Sequence, residues 1–160
     1  MTKRIFRSIC LVALAVLIAC LVLILGFLYG YFNEVQHDQL KIQTDLAARG
    51  VSSQGLDYFE GLSTDDYRIT LIGTDGNVLF DSKSDSSSME NHLEREEVQE
   101  ALETGYGESE RFSSTLLEKS LYSAEKLPDG SVLRLSMIQN SVLTLILGML
   151  QPVCVIIVIA

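Results

Sequence analysis

The sequence is 160 residues long, carries a net charge of −9 at pH 7 and contains 48% hydrophobic residues. The charge is divided unevenly: all 21 acidic residues lie between Glu34 and Asp129, and the charged residues before them are Lys3, Arg4 and Arg7. An acidic middle segment lacks the basic surface that nucleic-acid-binding proteins present, so we exclude that function class. The length allows one domain of ordinary size in addition to membrane segments.

The cysteines lie outside the acidic segment, at Cys10, Cys20 and Cys154. No disulfide can therefore form within residues 33–140, and a hydrophobic core has to hold that segment together. His37 and His92 have no cysteine nearby in the sequence, so the spacing of a structural zinc site is absent. We predict neither a metal nor another cofactor.

A run without charge extends from Ile9 to Phe32. At about 1.5 Å per residue, a helix of this length crosses a hydrocarbon core of roughly 30 Å. Backbone groups find no partners in lipid other than one another, so residues 9–32 are predicted to form a transmembrane helix. The basic residues before it place residues 1–8 in the cytoplasm and residues 33–140 outside the cell.

Two processing signals are alternatives to a retained helix. A secretory signal peptide has an apolar core of about 7–15 residues, which is shorter than this run. The stretch Leu17-Ile18-Ala19-Cys20 resembles the lipobox of bacterial lipoproteins, but another apolar octet follows it where a polar tether is expected. A retained helix is therefore favoured.

Small residues recur along the first apolar run, at Ala15, Ala19, Gly26 and Gly30. Their spacing places them on one stripe of a helix, where they would allow a second membrane helix to approach closely. The alternative is that they reflect the general abundance of glycine and alanine in membrane helices. We predict helix packing at this stripe.

The segment after residue 32 begins with helical periodicity. Residues 33–49 contain no helix breaker and are predicted to form a helix that ends near Gly50, with a short helix over residues 53–62 after it. The period then changes to that of strands over residues 67–72 and 78–80. Asp75-Gly76 between these strands predicts a hairpin.

The second half of the segment alternates between loop, helix and strands. A serine-rich loop over residues 82–88 precedes a predicted helix over residues 94–103, which Gly105 ends. Three more strands are predicted, over residues 109–116, 120–127 and 131–137. Pro128-Asp129-Gly130 forms a tight turn between the last two. This order predicts an α+β domain, in which helices pack on a five-stranded antiparallel sheet.

A second apolar run extends from Val142 to Ala160 and just reaches the length of a spanning helix. We predict a second transmembrane helix over residues 141–160, with Asn140 or Ser141 as its N-cap and a kink at Pro152. This run reaches the last residue of the sequence without a basic flank. We therefore expect the sequence to be the N-terminal part of a longer protein.

Short motifs of the middle segment resemble one family of proteins. They are Tyr67-Arg68-Ile69-Thr70-Leu71-Ile72, Asp75-Gly76-x-Val78-Leu79-x-Asp81-Ser82, Met89-Glu90-Asn91-His92 with Arg95-Glu96-Glu97-Val98, Arg111-x-Ser113-x-Thr115-Leu116, Tyr122-x-Ala124, and Leu127-x-Asp129-Gly130-x-Val132-Leu133-Arg134. Over residues 5–152, this ordered set resembles the N-terminal sensor region of bacterial two-component sensor histidine kinases, most closely those related to the phosphate-regulon sensor. The resemblance implies an extracellular PAS-like (Cache) domain.

The resemblance also implies a function in signal transduction. A homodimer in the bacterial cell membrane would detect an extracellular ligand or partner protein and transmit the signal through two transmembrane helices. The phosphoacceptor-histidine motif and the glycine-rich ATP lid of such kinases are absent from this sequence, and we identify no catalytic residues in it. A cytoplasmic response regulator could be reached only through a kinase core that the sequence does not contain.

Other function classes stay open. Chemoreceptors and nucleotide cyclases use the same input layout, so the output domain after residue 160 could differ in kind. Alternatively, the sequence is a complete small membrane adaptor that binds another receptor.

Four residues on predicted strands are candidates for contact with a ligand, namely Arg68, Arg111, Tyr122 and Arg134. Guanidinium groups that point into a pocket can hold an anionic group through paired hydrogen bonds. The alternative is that these arginines flank the sheet and pair with the many carboxylates of the segment. We favour that pairing and keep the ligand contact as a second interpretation.

Overall fold

The computed structural model describes residues 2–59, 66–113 and 118–139 of the chain. Its helices and strands, in chain order, are α1 (Thr2–Gln54), β1 (Arg68–Ile72), β2 (Val78–Asp81), α2 (Glu96–Thr104), β3 (Tyr106–Ser113), β4 (Glu118–Lys126) and β5 (Val132–Gln139). The predicted second transmembrane helix over residues 141–160, with its kink at Pro152, lies outside the described residues. The chain divides into two compact units, Met1–Val35 and Gln36–Ala160.

The first unit consists of the N-terminal part of α1. Its apolar side chains, such as those of Leu23 and Phe27, are largely exposed. Within the described part of the chain, one helix is long and apolar enough to cross a membrane, and it contains the predicted span over residues 9–32. Positions Gly26 and Gly30 have open space where a side chain would begin, so helix packing at the small-residue stripe stays a prediction.

Helix α1 ends later than the sequence predicted, so the prediction of an end near Gly50 is wrong. The helix passes through Gly50 and continues to Gln54, because Val51 adds a buried apolar residue to its inward face. A Cβ atom at Gly50 would lie 2.5 Å from the ring of Tyr58, so the glycine serves close packing here. Gly55, with φ +67°, adopts the left-handed conformation typical of a helix end. A 3-10 turn over Gly55–Phe59 replaces the first part of the short helix predicted over residues 53–62.

The second unit contains a five-stranded sheet in the order β2-β1-β5-β4-β3, in which every neighbouring pair is antiparallel. The predicted α+β class and the antiparallel sheet are confirmed. Both predicted turns have a glycine in the left-handed region, Gly76 at φ +83° and Gly130 at φ +88°. Hairpins thus join β1 to β2 and β4 to β5.

Several predicted boundaries are shifted by one to three residues, and the shifts at β3 and α2 have a local cause. Strand β3 begins at Tyr106, three residues before the predicted start, because Gly105 both ends α2 and turns the chain directly into the sheet. Helix α2 begins at Glu96 rather than at residue 94. The reason is that the Asn91 side chain accepts a hydrogen bond from the Leu93 backbone N–H and donates one to the Asp75 carbonyl, which holds this loop in a non-helical conformation.

The two faces of the sheet support separate cores. Leu133 and Leu135 of β5 lie on one face, which we call the α1 face because they pack against Leu40, Ala48 and Val51 of that helix. Alternate residues point to the opposite side, which we call the α2 face. Its apolar core includes the buried residues Ile72, Val98, Ala101, Ala124 and Val132.

Candidate functional site

A buried carboxylate anchors the polar part of the α2 face. Glu97 lies in the first turn of α2, and its side chain is 0% exposed. Its carboxylate accepts hydrogen bonds from Ser109 Oγ at 2.7 Å, from the Arg111 guanidinium, and from Arg134 Nη1 at 3.3 Å. Burial alone would raise the pKa of Glu97, but the hydrogen bonds from Ser109 and Arg111 outweigh it and hold that pKa below its ordinary value. Glu97 is therefore ionised at neutral pH.

A second buried carboxylate lies at the end of β2. Asp81 accepts hydrogen bonds from Arg68 Nε at 3.1 and 3.0 Å, from Thr70 Oγ1 at 2.8 Å, and from the backbone N–H groups of Lys83 and Ser84. Burial opposes ionisation, and the hydrogen bonds from the Lys83 backbone, Arg68 and Thr70 together lower the pKa of Asp81 below its ordinary value. Asp81 is thus a second fixed negative charge on the same face.

Sheet register joins the two carboxylates. Thr70 of β1 lies opposite Asp81 on one side and opposite Arg134 of β5 on the other. Its hydroxyl donates to Asp81 and accepts from Arg134 Nη2 at 3.2 Å, while Arg134 Nη1 reaches Glu97. A continuous charged network therefore crosses the α2 face. We use that name for Arg68, Thr70, Asp81, Glu97, Arg111 and Arg134.

The ring of Tyr122 lies next to two cations of the charged network. The Arg111 guanidinium is 4.2 Å and the Arg134 guanidinium 5.5 Å from the ring centroid, within the range of cation–π attraction. In the sheet, Tyr122 lies opposite Ser109 of β3 and Ser136 of β5. The ring thus adds a second contact to both guanidinium groups, besides the carboxylate of Glu97.

A pocket of about 400 Å³ opens beside the charged network. Of the four candidate residues, Arg68 and Tyr122 line it, whereas Arg111 and Arg134 do not. Ser120 and Ser136 also contribute to its wall. In the part of the chain that the structure describes, the side-chain hydroxyls of Ser120, Tyr122 and Ser136 make no hydrogen bonds to protein groups. The pocket therefore offers three hydroxyls that can both donate and accept.

All four candidate residues lie on the α2 face, and each of the three arginines contacts a buried carboxylate. The pairing favoured from the sequence is thus present. A ligand contact of the four residues stays a prediction. The sequence did not single out Glu97, Asp81 or His92 as partners, although Glu97 lies one turn before the inward-facing Ala101 and could have been recognised by that spacing.

A smaller cluster of charges lies on the α1 face. His37 Nε2 of α1 is 2.5 Å from a carboxylate oxygen of Glu110, and Lys119 Nζ is 2.6 Å from the other. The His37 Nδ1 atom faces Glu108 at 4.0 Å. Because these side chains are partly exposed, solvent weakens the interactions, and they serve to attach α1 to β3 rather than to form an enclosed site.

No protein-family model matches the sequence, and no curated protein matches it. Among solved structures, the chain is similar to the extracellular domain of rpHK1S-Z16, a protein assigned as a histidine kinase. The TM-score is 0.41 and the sequence identity 16%, over 57% of this chain and 39% of that chain. The match thus spans well under half of the other structure, and a likeness of this size does not establish a shared function.

Proposed function

We propose that this chain is the input region of a membrane-bound sensor, of the kind that sensor histidine kinases carry. The observation that supports it most directly is the pocket of about 400 Å³ on the α2 face, with three hydroxyls that lack protein partners in the described residues. This volume is within the range of pockets that bind small molecules, roughly 300–1,000 Å³. Concave sites with a few convergent polar groups are where proteins recognise such ligands.

The membrane arrangement is part of this proposal. Residues 9–32 would span the membrane, residues 1–8 would lie in the cytoplasm and residues 33–140 outside, with a second helix over residues 141–160. The apolar composition of α1 and the basic residues before its apolar run support the first span and its direction. In this arrangement two copies pair as a homodimer, and the small residues Ala15, Ala19, Gly26 and Gly30 lie in the contact.

The pocket favours a small polar ligand. Ser120, Tyr122 and Ser136 can hydrogen-bond to hydroxyl, amide or carboxylate groups, and Arg68 adds a cation at the wall. Arg68 already binds Asp81, so an anionic ligand group would compete with that carboxylate. Binding would therefore redistribute hydrogen bonds that connect Arg68 to Arg134 and onward to Glu97 in α2.

Transmission of the signal would follow from unequal affinity for two arrangements of the charged network. A ligand shifts an equilibrium only by the difference in its affinity for the two states. Strand β5 carries Arg134 and Ser136 and leads, along the chain, to the predicted second helix. A change at the pocket would thereby reach the residues that enter the membrane. The kinase core and its response regulator would act downstream of this step.

The binding claim can be tested on the full chain in nanodiscs. A library of organic acids, amino acids and sugars would be screened by the shift in unfolding temperature. We expect at least one compound to stabilise the wild type, and the double variant Tyr122→Phe, Ser136→Ala to lose most of that shift. Ser87→Ala, in an exposed loop, is the control. Equal shifts in both variants, or none for any compound, would contradict the pocket.

Topology has its own test. In a chain whose three cysteines are replaced by alanine, a cysteine placed at Ser87 should react with a membrane-impermeant thiol reagent on intact cells. A cysteine at Thr2 should react only after the cells are opened. The reverse pattern would place the acidic segment in the cytoplasm and remove the basis for an external sensor.

A further inference from the structure

Two exposed apolar side chains lie at the same end of the sheet. Phe112 of β3 is 64% exposed and Ile138 of β5 is 55% exposed. Register places Arg111, the residue before Phe112, opposite Ser120 of β4, which in turn lies opposite Ile138, so the two apolar residues belong to neighbouring rows. Of the large apolar side chains on the described strands, only that of Leu79 in β2 is comparably exposed, at 57%. Apolar residues scattered singly over a surface are common, whereas two at one end of a sheet call for a common explanation.

The two side chains belong to opposite faces of the sheet. Ile138 follows Arg134 and Ser136 at alternate positions of β5 and therefore lies on the α2 face, whereas Phe112 shares the α1 face with Glu110. A partner that covered one face of the sheet would contact only one of the two apolar side chains. A surface that meets the sheet at its end contacts both.

The contacts of α1 show which end of the sheet this is. His37 Nε2 lies 2.5 Å from Glu110, whereas Lys41, one turn further along α1, lies over the ring of Tyr106 at 4.6 Å, four residues earlier in β3. Helix α1 and strand β3 therefore run in opposite directions. Phe112 consequently lies beyond Glu110, towards the end of α1 at which the second unit begins.

Two chain connections keep this end of the sheet near the membrane. His37 comes five residues after Phe32, the last residue of the first predicted span, and five residues reach at most about 18 Å. Ile138 comes three residues before Ser141, where the second predicted span begins, which allows at most about 11 Å. The headgroup region extends roughly 5–7 Å beyond the hydrocarbon core on each side. The position of the bilayer rests on the proposed function, because both spans belong to it.

We infer that Phe112 and Ile138 insert into the headgroup region of the bilayer and hold the end of the sheet on the membrane surface. Apolar side chains bind at this depth when the polar groups beside them stay in water. Glu110, two residues before Phe112, is bound by Lys119 Nζ at 2.6 Å, which offsets its repulsion from lipid phosphate groups. A sheet held in this way does not tilt freely on its two chain connections. A change at the pocket would then pass along β5 instead of moving the whole sheet.

Tryptophan fluorescence tests the lipid contact, because the sequence contains no tryptophan and a single introduced one reports only its own surroundings. Phe112→Trp and Ile138→Trp are made separately in the full chain, which is reconstituted in vesicles of zwitterionic phosphatidylcholine. The acyl chains of the lipid are either unlabelled or brominated, and bromine quenches tryptophan at close range. For both variants we expect emission at shorter wavelength than in water, and emission at least twofold weaker in the brominated lipid.

Leu79→Trp is the matched control, because Leu79 is as exposed as Ile138 but lies near the other end of the sheet. Its neighbour Val78 lies opposite Ile72, and Ile72 lies opposite Val132, which is six residues before Ile138 in β5. Six residues of a strand span about 20 Å. The emission of Leu79→Trp should therefore be the same in both lipids. Equal quenching of this variant and of Phe112→Trp would contradict a contact confined to one end of the sheet.

A further variant, Leu21→Trp in the middle of the first predicted span, separates the lipid contact from the proposed function. If Leu21→Trp is quenched and either Phe112→Trp or Ile138→Trp is not, the inferred contact is overturned and the span is retained. If Leu21→Trp is not quenched either, both are overturned. Emission at shorter wavelength without quenching in Phe112→Trp and Ile138→Trp would show that protein, such as a second copy of the chain, covers these side chains, which also overturns the lipid contact.

Discussion

The two faces of the sheet are stabilised in different ways. On the α1 face, Leu121, Leu133 and Leu135 pack against the buried apolar side of α1, and the charged groups lie at the edge. On the α2 face, an apolar core covers one half, while the other half is a network of two buried carboxylates and three arginines. Apolar packing tolerates exchange between residues of similar volume, whereas a buried polar network requires every partner.

This difference indicates which of the two faces can pass a local change from one residue to another. Each hydrogen bond of the charged network depends on the register of neighbouring strands, because Thr70 bonds to residues on both sides of it. A disturbance at Arg68 can therefore reach Glu97 through defined contacts. The α1 face also carries a chain of polar contacts, which runs from Ser123 through Tyr106 and Glu108 to His37, Glu110 and Lys119, but its charged side chains are partly exposed. We expect substitutions on the two faces to differ in size, in salt dependence and in pH dependence.

Glu97→Gln should produce the largest loss of stability. The substitution keeps the shape of the side chain but leaves Arg134, which is 4% exposed, without its carboxylate. Breaking a buried ion pair by removing one partner costs about 3–5 kcal/mol. Chemical denaturation of the full chain in micelles would measure the free energy of unfolding, with Glu96→Gln, at the exposed neighbouring position, as the control.

A loss below about 1 kcal/mol for Glu97→Gln would mean that the network does not stabilise the fold. Glu96→Gln should change the free energy of unfolding by no more than about 0.5 kcal/mol, as is usual for surface substitutions.

Leu133→Ala tests the apolar face. Leu133 is fully buried between the sheet and α1, and truncation of a buried leucine costs about 2–5 kcal/mol, depending on how far the site relaxes. We expect about 3 kcal/mol in the same denaturation experiment, independent of salt. Ile138→Ala, at a residue that is 55% exposed, is the matched control and should cost much less. Similar losses for both variants would show that α1 does not cover Leu133 in solution.

The elements of this fold could be predicted from the sequence where the signal is local. The Asp75-Gly76 turn, the strand after it and the stop at Gly105 follow from residues close together in the chain. The end of α1 could not be predicted, because Gly50 is required by the ring of Tyr58, a contact that only the folded chain creates. A glycine that follows a helical pattern can either end the helix or allow close packing within it, and only the folded chain shows which of the two applies.

Only some residues of the charged network and the pocket could be named from the sequence, because the contacts of the others form between distant parts of the chain. Arginines and a tyrosine on strands are conspicuous, so Arg68, Arg111, Tyr122 and Arg134 could be named. Glu97 resembles an ordinary acidic residue in the first turn of a helix. The spacing to Ala101 places it on the inward face of α2, but its partner Arg134 lies 37 positions later, and no local pattern reports that pairing. Ser120 and Ser136 become pocket residues only through strand register.

The free energy of unfolding should also depend on pH differently for the two faces. Burial lowers the pKa of His92 to about 4 in the folded chain, and that pKa is near its ordinary value of 6.5 when unfolded. The unfolded chain therefore binds the proton first, and stability falls as the pH drops below about 6.5, until the folded pKa is reached. At about 1.4 kcal/mol per pKa unit, the loss between pH 7 and pH 5 is about 2 kcal/mol.

His92→Gln should remove most of this slope in denaturation curves recorded at constant salt concentration. Glu97 and Asp81 have lowered pKa values, so their contributions are lost only at more acidic pH, below their ordinary range near 4. An unchanged slope in His92→Gln between pH 7 and pH 5 would mean that His92 takes up its proton equally in both states.

Glu110→Gln should have the smallest effect. It makes on the α1 face the same substitution that Glu97→Gln makes on the α2 face. Glu110, like Glu97, is contacted by two basic side chains, here His37 and Lys119, but its side chain is 39% exposed and lies on the α1 face. Exposed ion pairs contribute about 0.2–1 kcal/mol, and salt screens them over a distance of about 10 Å at 0.1 M.

We expect a loss of about 0.5 kcal/mol that shrinks further in 1 M salt, whereas the loss from Glu97→Gln persists there. The same substitution would then differ severalfold in effect because burial, rather than the number of basic side chains in contact, sets the cost of removing a carboxylate charge. Equal losses from the two variants, or equal sensitivity to salt, would show that the two faces do not differ in this respect.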